Sequence, residues 1–436
     1  MIDRGRQGRN KKEKVILGWI LFCLVCAVMN LLHINDRCIH VVEGLVFIVF
    51  TVGFYIIGKE EKLSRWFLAI IAVGYGARIC YMLINIYTPY EFIIPYGAAD
   101  GNIFYSYAKE MYLTGNNGYY TYYPYVVLAV FKTFGLSRLI AQYLNIVCYV
   151  ISCMVLLKIF GKLHIKEGIQ KLGLCIFALF PNYIFVSSLL MREGLIIFCV
   201  LCSFLFWLCW KEEGKAWQWI GTILILAPAS VLHSGVSILA IGYILVFLCY
   251  DRRERQIKFG KKVVIGGVVV IVGLVILWLT PLRYYLFSYL VLSWEDIIRL
   301  IEGRNRQIAG ANYLTHQEIN GPWDLLIYLP LRMLYFQFSP MPWDWRGITD
   351  AVAFIIDSGT YIVALFCVIS MLIKKKKDRI IPGLIGLQMI LFAAMHGWGV
   401  MNAGTAMRHR CKLLGVAVIA IVYYLQNRKL PENERG

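Results

Sequence analysis

Asp100, the pair Arg192–Glu193, His233 and the run Arg408-His409-Arg410-Cys411-Lys412 are the residues of this chain whose types suit chemistry on an anionic substrate. Asp100 stands in an Asp-Gly turn ahead of aromatic residues at helical spacing, Tyr105 among them. A carboxylate in that setting can take a proton from a sugar hydroxyl while ring faces pack on the sugar's C–H surface. An Asp there can equally cap a helix by accepting backbone N–H bonds, and spacing alone leaves both readings open. Arg192 and Glu193 fall between two apolar runs with almost no loop, so both charges sit at a membrane surface or face a cavity. They either pair locally to close a helical hairpin or, through Arg192, clamp a phosphate. His233, in Leu232-His233-Ser234-Gly235, is either a satisfied interfacial residue or a group for proton work near neutral pH. The arginines of the run at 408–412 suit phosphate, because the guanidinium fork binds it at two points and stays charged in a low dielectric.

The elements that must position these residues are membrane spans. A chain of 436 residues that is 59% hydrophobic and 16% charged, with a mean hydropathy of +0.65, is excluded from the soluble globular class. Apolar runs long enough to cross the hydrocarbon begin at Val15, Val41, Phe67, Leu139, Leu172, Leu195, Trp217, Gly235, Val263, Ala351, Ile380 and Leu413, twelve in all. The first follows Arg4, Arg6, Arg9, Lys11, Lys12 and Lys14 and has no small-residue cleavage site, so it reads as an anchor. The net charge of +18 does not point to nucleic acid. Of the 44 Lys and Arg, 29 lie in that N-terminal block and in short clusters between apolar runs, a pattern that encodes topology.

The positive-inside rule then puts both ends of the chain in the cytoplasm. The expected organisation is a basic cytoplasmic N-terminus (1–14), one polytopic all-α transmembrane domain (15–426) and a cytoplasmic tail (427–436). Its long loops, 87–138 and 281–350, lie outside the cell membrane. Two more apolar stretches, Tyr125–Gly135 and Trp323–Phe338, are expected to lie on the outer surface. Making them cross would throw the basic blocks at Lys158 and Lys374 out of register. The thirteen cysteines lie mostly inside apolar runs and form no metal or redox signature, and Glu295–Asp296 diverge on a helix. No metal and no cofactor is expected.

Asp100 with Tyr105 and Ala108, then Tyr123-Pro124-Tyr125, Phe134-Gly135 and Arg138 opening a span, resembles the first outer loop of the GT-C integral-membrane glycosyltransferases. That class includes protein mannosyltransferases and lipid A aminoarabinose transferases. The resemblance covers about residues 67 to 193, and Tyr125 stands where the class often has a second proline. It implies Asp100 as catalytic base and a polyprenyl-phosphate sugar as donor. Arg192 opening a span, the turn His233 to Gly235 and the late arginines Arg408 and Arg410 also resemble polysaccharide polymerases of the Wzy/EpsG type. Those join polyprenyl-pyrophosphate-linked repeat units, and the resemblance implies arginines that hold anionic lipid carriers.

Both families imply attack of a hydroxyl on an anomeric carbon with phosphate leaving, and a site with a base and cations. The candidate catalytic residues are Asp100, Glu193 and His233. The candidate substrate-binding residues are Tyr105, Tyr123, Arg138, Arg192, Arg332, Arg408, His409 and Arg410. The expected partners are a polyprenyl-phosphate or pyrophosphate sugar, a glycan, lipid or protein acceptor and the bilayer. A transporter or flippase of an anionic lipid is the other class to weigh. It calls for charge near the bilayer midplane, and Arg78, inside the third run, is the one residue of that kind.

Overall fold

The computed structural model describes residues 2–88, 99–116, 121–252, 310–315, 321–373 and 379–428, with scattered positions between 254 and 272 and residues 317 and 319. In chain order the helices are α1 (Ile2–Leu31), α2 (Ile39–Glu60), α3 (Arg65–Tyr87), α4 (Ala99–Thr114), α5 (Tyr123–Phe134) and α6 (Arg138–Lys162). They continue as α7 (Glu167–Ala178), α8 (Pro181–Ser188), α9 (Glu193–Glu213), α10 (Ala216–Leu232) and α11 (Ile238–Cys249). The last are α12 (Pro322–Phe338), α13 (Ile348–Ile373), α14 (Ile380–Gly397), α15 (Ala403–Arg410) and α16 (Leu414–Arg428). A short antiparallel pairing joins Tyr250–Asp251 to Gln256–Ile257, and Asn312 and Asn402 form an isolated antiparallel bridge.

The chain is an all-α polytopic membrane protein. Among the described residues seven helices are long and apolar enough to cross a bilayer: α1 from Lys11, α2, α3, α6, α9, α13 and α14. Several show apolar side chains to their surroundings, as with Leu17 at 65%, Leu21 at 60% and Val41 at 62% exposure. Faces of that kind are tolerated where lipid, and not water, covers them. The run beginning at Leu172 is not one straight span. It bends by 53° between α7 and α8, where Pro181 opens α8 and cannot continue α7. The runs at Trp217, Gly235 and Leu413 form helices of 17, 12 and 15 residues. A 17-residue helix rises only about 25 Å, short of the roughly 30 Å hydrocarbon core. The run at Val263, most of the 281–350 loop before residue 310 and the Lys374–Lys377 block lie outside the described residues.

Helices do form at the two stretches expected to lie on the membrane surface. They are α5, of 12 residues, and α12, of 17, which starts with Pro322 in its first turn and with the Asp324 carboxylate accepting from the Gly321 N–H at 3.1 Å.

The chain divides into two compact units, Met1–Leu157 with Leu174–Phe198, and Lys158–Gly173 with Cys199–Gly436. The first has an apolar core of Cys26, Val42, Val46, Met82, Phe134, Leu139, Ile140, Tyr143 and Ile146, drawn from five helices. In the second, α12 packs on α14, α13 on α16 and α11 on α14. Gly397 brings α12 and α14 together, since a Cβ there would meet the Arg332 and Met333 backbone at 3.2 Å.

Candidate functional site

In the first unit the chain between α8 and α9, Leu189 to Arg192, is held by one buried amide. Asn145 of α6 donates through Nδ2 to the carbonyls of Leu189 at 2.7 Å and Met191 at 2.6 Å, with the Tyr123 hydroxyl 3.3 Å away. These carbonyls precede α9, and although the Leu189 carbonyl also accepts from the Met191 N–H at 2.8 Å, the amide ties both to α6 and fixes where Arg192 and Glu193 stand. Gly194 permits the approach, because a Cβ there would lie 2.8 Å from Asn145 Oδ1.

The helix bearing Asp100 rests on that segment. Asp100 lies half-buried in the first turn of α4, where a carboxylate is favoured by the helix dipole. One residue on, a Cβ at Gly101 would sit 3.4 Å from the Leu190 carbonyl oxygen. The Arg192 guanidinium stands 5.9 Å from the Phe104 ring centre, and that of Arg138 stands 5.5 Å from the Tyr105 ring centre, distances at which the ring faces attract a cation. The structure therefore gathers Asp100, Tyr105, Arg138 and Arg192 around the start of α4. Glu193 and Tyr123 sit behind them, each only 1% exposed. Burial, with the nearby Glu193 charge adding to it, pushes the Tyr123 hydroxyl up. Tyr123 thus supports the site from within and is no open platform for a ligand.

Arg78 is also fully buried in this unit, and its setting is structural. It donates from Nη1 to the carbonyls of Gly74 and Ala178, both at 2.8 Å, and from Nε to Ser187 Oγ at 2.7 Å. The Tyr149 and Tyr183 ring centres lie 3.5 and 4.7 Å from its guanidinium carbon. The bend between α7 and α8 leaves the Ala178 carbonyl without its i+4 donor, and Arg78 supplies one. It braces a broken helix.

The second unit holds the other candidates. His233 ends α10, His396 lies in the last turn of α14 and His409 in α15. The ring centres are 5.3 Å apart for His233 and His396, 4.7 Å for His233 and His409, and 5.3 Å for His396 and His409. One nitrogen from each ring lies within 4.8 Å of the others. Gly235 makes room, since a Cβ there would press to 2.8 Å from His396 Cε1 and Nε2. Lys412, fully buried, reaches His409 Nδ1. Burial first, then the charges of Lys412 and Arg408, hold the His409 imidazole well below its usual range, so it is neutral.

Arg410 and Arg332 are as hidden as each other, at 1% and 0% exposure. Arg410 donates to Asp357 from Nε, to the Phe336 carbonyl at 3.2 Å from Nη1, and from Nη2 to the Ser339 carbonyl at 2.6 Å and Ser358 Oγ at 3.0 Å. Asp357 and Ser358 reach it from a π-helical turn, Phe354–Ser358, inside α13. Its guanidinium is consumed by the protein. Arg332, on α12, has its face 4.2 Å from the Trp398 ring centre, and none of its three guanidinium nitrogens has a hydrogen-bond partner among the described residues. Burial pushes it down to about 10, so it remains a cation at neutral pH. Tyr313 lies near enough to both arginines to feel their charge, and is pinned by its N–H on the Met401 carbonyl and its hydroxyl on the Val400 carbonyl, both at 2.9 Å.

The candidates thus form two groups, Asp100, Tyr105, Tyr123, Arg138, Arg192 and Glu193 in one unit and His233, Arg332, Arg408, His409 and Arg410 in the other. The sequence did not single out Asn145, Asp357 or His396 as members of a site. A polar residue within an apolar run was the available signal for Asn145 and His396. No family model, curated protein or solved structure matches this chain.

Proposed function

We propose that this protein is a membrane glycosyltransferase that moves a sugar from a polyprenyl-phosphate carrier to a glycan, lipid or protein acceptor on the extracytoplasmic side. The reading keeps the twelve-run topology with both chain ends cytoplasmic. One observation carries it: the helix start bearing Asp100 rests on the Asn145-clamped segment that presents Arg192, with Arg138 on the adjoining Tyr105 face. A base and two guanidinium groups at one helix start are what the reaction needs. The carboxylate takes the acceptor hydroxyl's proton as that oxygen attacks the anomeric carbon, and the fixed cations meet the charge that builds on the departing phosphate. Preorganised positive charge of this kind lowers barriers by about 3 kcal/mol or more.

Arg332 supports a place for a second anion. A buried guanidinium without acceptors among the described residues is costly, and a lipid phosphate would relieve it. That observation favours the polymerase variant of the same chemistry, in which both substrates carry a lipid-linked phosphate.

Lipid-linked intermediates in cells carrying Asp100→Asn or Arg192→Ala test the proposal. Loss of glycan with an unmodified acceptor is expected for a transferase. Accumulation of single repeat units on the carrier marks the polymerase. Intact glycan assembly in Asp100→Asn overturns Asp100 as the base.

A further inference from the structure

We propose that His233, His396 and His409 form a binding site for one transition-metal ion of the zinc class, a site that the transferase reading neither requires nor assigns. Imidazole nitrogens are preferred ligands of such ions, and three of them with one open position is a recurrent zinc arrangement. Here three elements distant in sequence, the end of α10, the end of α14 and α15, bring one nitrogen each to within 4.8 Å of the others. Tetrahedral coordination at about 2.0–2.1 Å asks for nitrogens roughly 3.3 Å apart, a spacing that small rotations of these side chains supply.

The rings are also held in the manner of metal ligands. The Phe392 carbonyl can only accept, so the 3.0 Å contact with His396 Nδ1 fixes that nitrogen as N–H and leaves the lone pair on Nε2. A backbone carbonyl behind the non-ligating nitrogen is the usual second partner of a metal-bound histidine. Lys412 donates to His409 Nδ1, so the proton of the neutral ring sits on Nε2, and binding of the ion at Nε2 releases one proton from the Lys412–His409 pair. Phe392 and Phe336 stack on the His396 ring at 4.0 and 5.3 Å between ring centres, which fixes its plane. Gly235 is needed for the crowding itself, since any larger residue would displace His396.

An all-imidazole ligand set brings no negative charge, and Lys412 stands beside His409. The ion therefore takes an anion, hydroxide or a phosphate oxygen, as its fourth ligand. Occupancy of the open position by phosphate would place the metal among the groups that recognise the carrier, but the site stands or falls on binding alone.

The test uses the full-length protein, purified in detergent through a tag without histidine and never exposed to chelator. Elemental analysis is expected to find about one zinc-class ion per chain, and Co²⁺ added to stripped protein should give the visible absorption bands of a four-coordinate site. His396→Gln and His409→Gln should each lose the ion and the bands while retaining the thermal melting profile, and His40→Ala, at an exposed histidine outside the cluster, should retain both. If His396→Gln disturbs folding, the wild-type metal content and cobalt spectrum decide. Wild-type protein with no stoichiometric metal and no cobalt bands overturns the proposal, as do bands that survive His396→Gln unchanged.

Discussion

Arg410 and Arg332 lie in the same unit, are equally screened from solvent, and differ in almost everything that matters for function. Arg410 gives donors to a carboxylate, two backbone carbonyls and a serine hydroxyl, whereas the guanidinium of Arg332 has no hydrogen-bond acceptor among the described residues and touches an indole face. Burial of a cation therefore does not by itself mark a ligand site. The accounting of its donors does, because a buried guanidinium left without acceptors is stable only if something else supplies them.

The largest effect is expected at Arg410. Arg410→Ala takes the guanidinium from a buried carboxylate, and such a loss costs about 3–5 kcal/mol, enough to leave little folded protein in a detergent melt. A double variant, Arg410→Met with Asp357→Leu, should recover much of it, since a buried pair replaced by apolar residues is often neutral. An Arg410→Ala protein as stable as wild type would erase the distinction between the two arginines.

Asn145→Ala comes next. It leaves the carbonyls of Leu189 and Met191 without their side-chain donor, a cost of about 1–3 kcal/mol. Transfer activity should fall further than stability, because the same amide positions Arg192. Equal retention of activity and melting temperature would show that the segment before α9 is held by other means.

Gly235→Ala tests the second unit at similar scale. Its Cβ would lie 2.8 Å from the His396 ring, and overpacking of this kind costs about 1–3 kcal/mol. Cobalt binding should weaken in this variant, and unaltered binding would show that the cluster tolerates a shifted His396.

The smallest effect on folding is expected at Arg332. Arg332→Met should leave the melting temperature unchanged or raise it, since it removes a buried charge that no acceptor among the described residues relieves, while product formation falls about tenfold or more. A large drop in stability would instead place Arg332 beside Arg410 as a structural residue.

These contrasts also show what the sequence made legible. The apolar runs announced a polytopic helical protein, and Asp100 and Tyr105 stood out because an acidic residue ahead of aromatics at helical spacing is a local pattern. The count of continuous spans was less legible. Pro181 breaks one run into α7 and α8, although hydropathy alone carries apolar character past it, and α10 stops at Leu232 after 17 residues. The roles of Arg78 and Arg410 were hidden for a different reason. Their partners, Ala178 and Asp357, lie 100 and 53 positions away, and only the helix break and the π-helical turn turn those groups toward them. The histidine cluster is equally nonlocal, since His233, His396 and His409 come from three separate elements.

The most direct test of the proposed activity is recovery of carrier lipids from cells whose only copy of the protein carries Asp100→Asn, with protein level and melting temperature matched to wild type. The expected result is accumulated lipid-linked sugar and loss of the mature glycan, with Asp100→Glu restoring part of the product. Mature glycan and carrier lipids indistinguishable from wild type in Asp100→Asn would contradict the assignment.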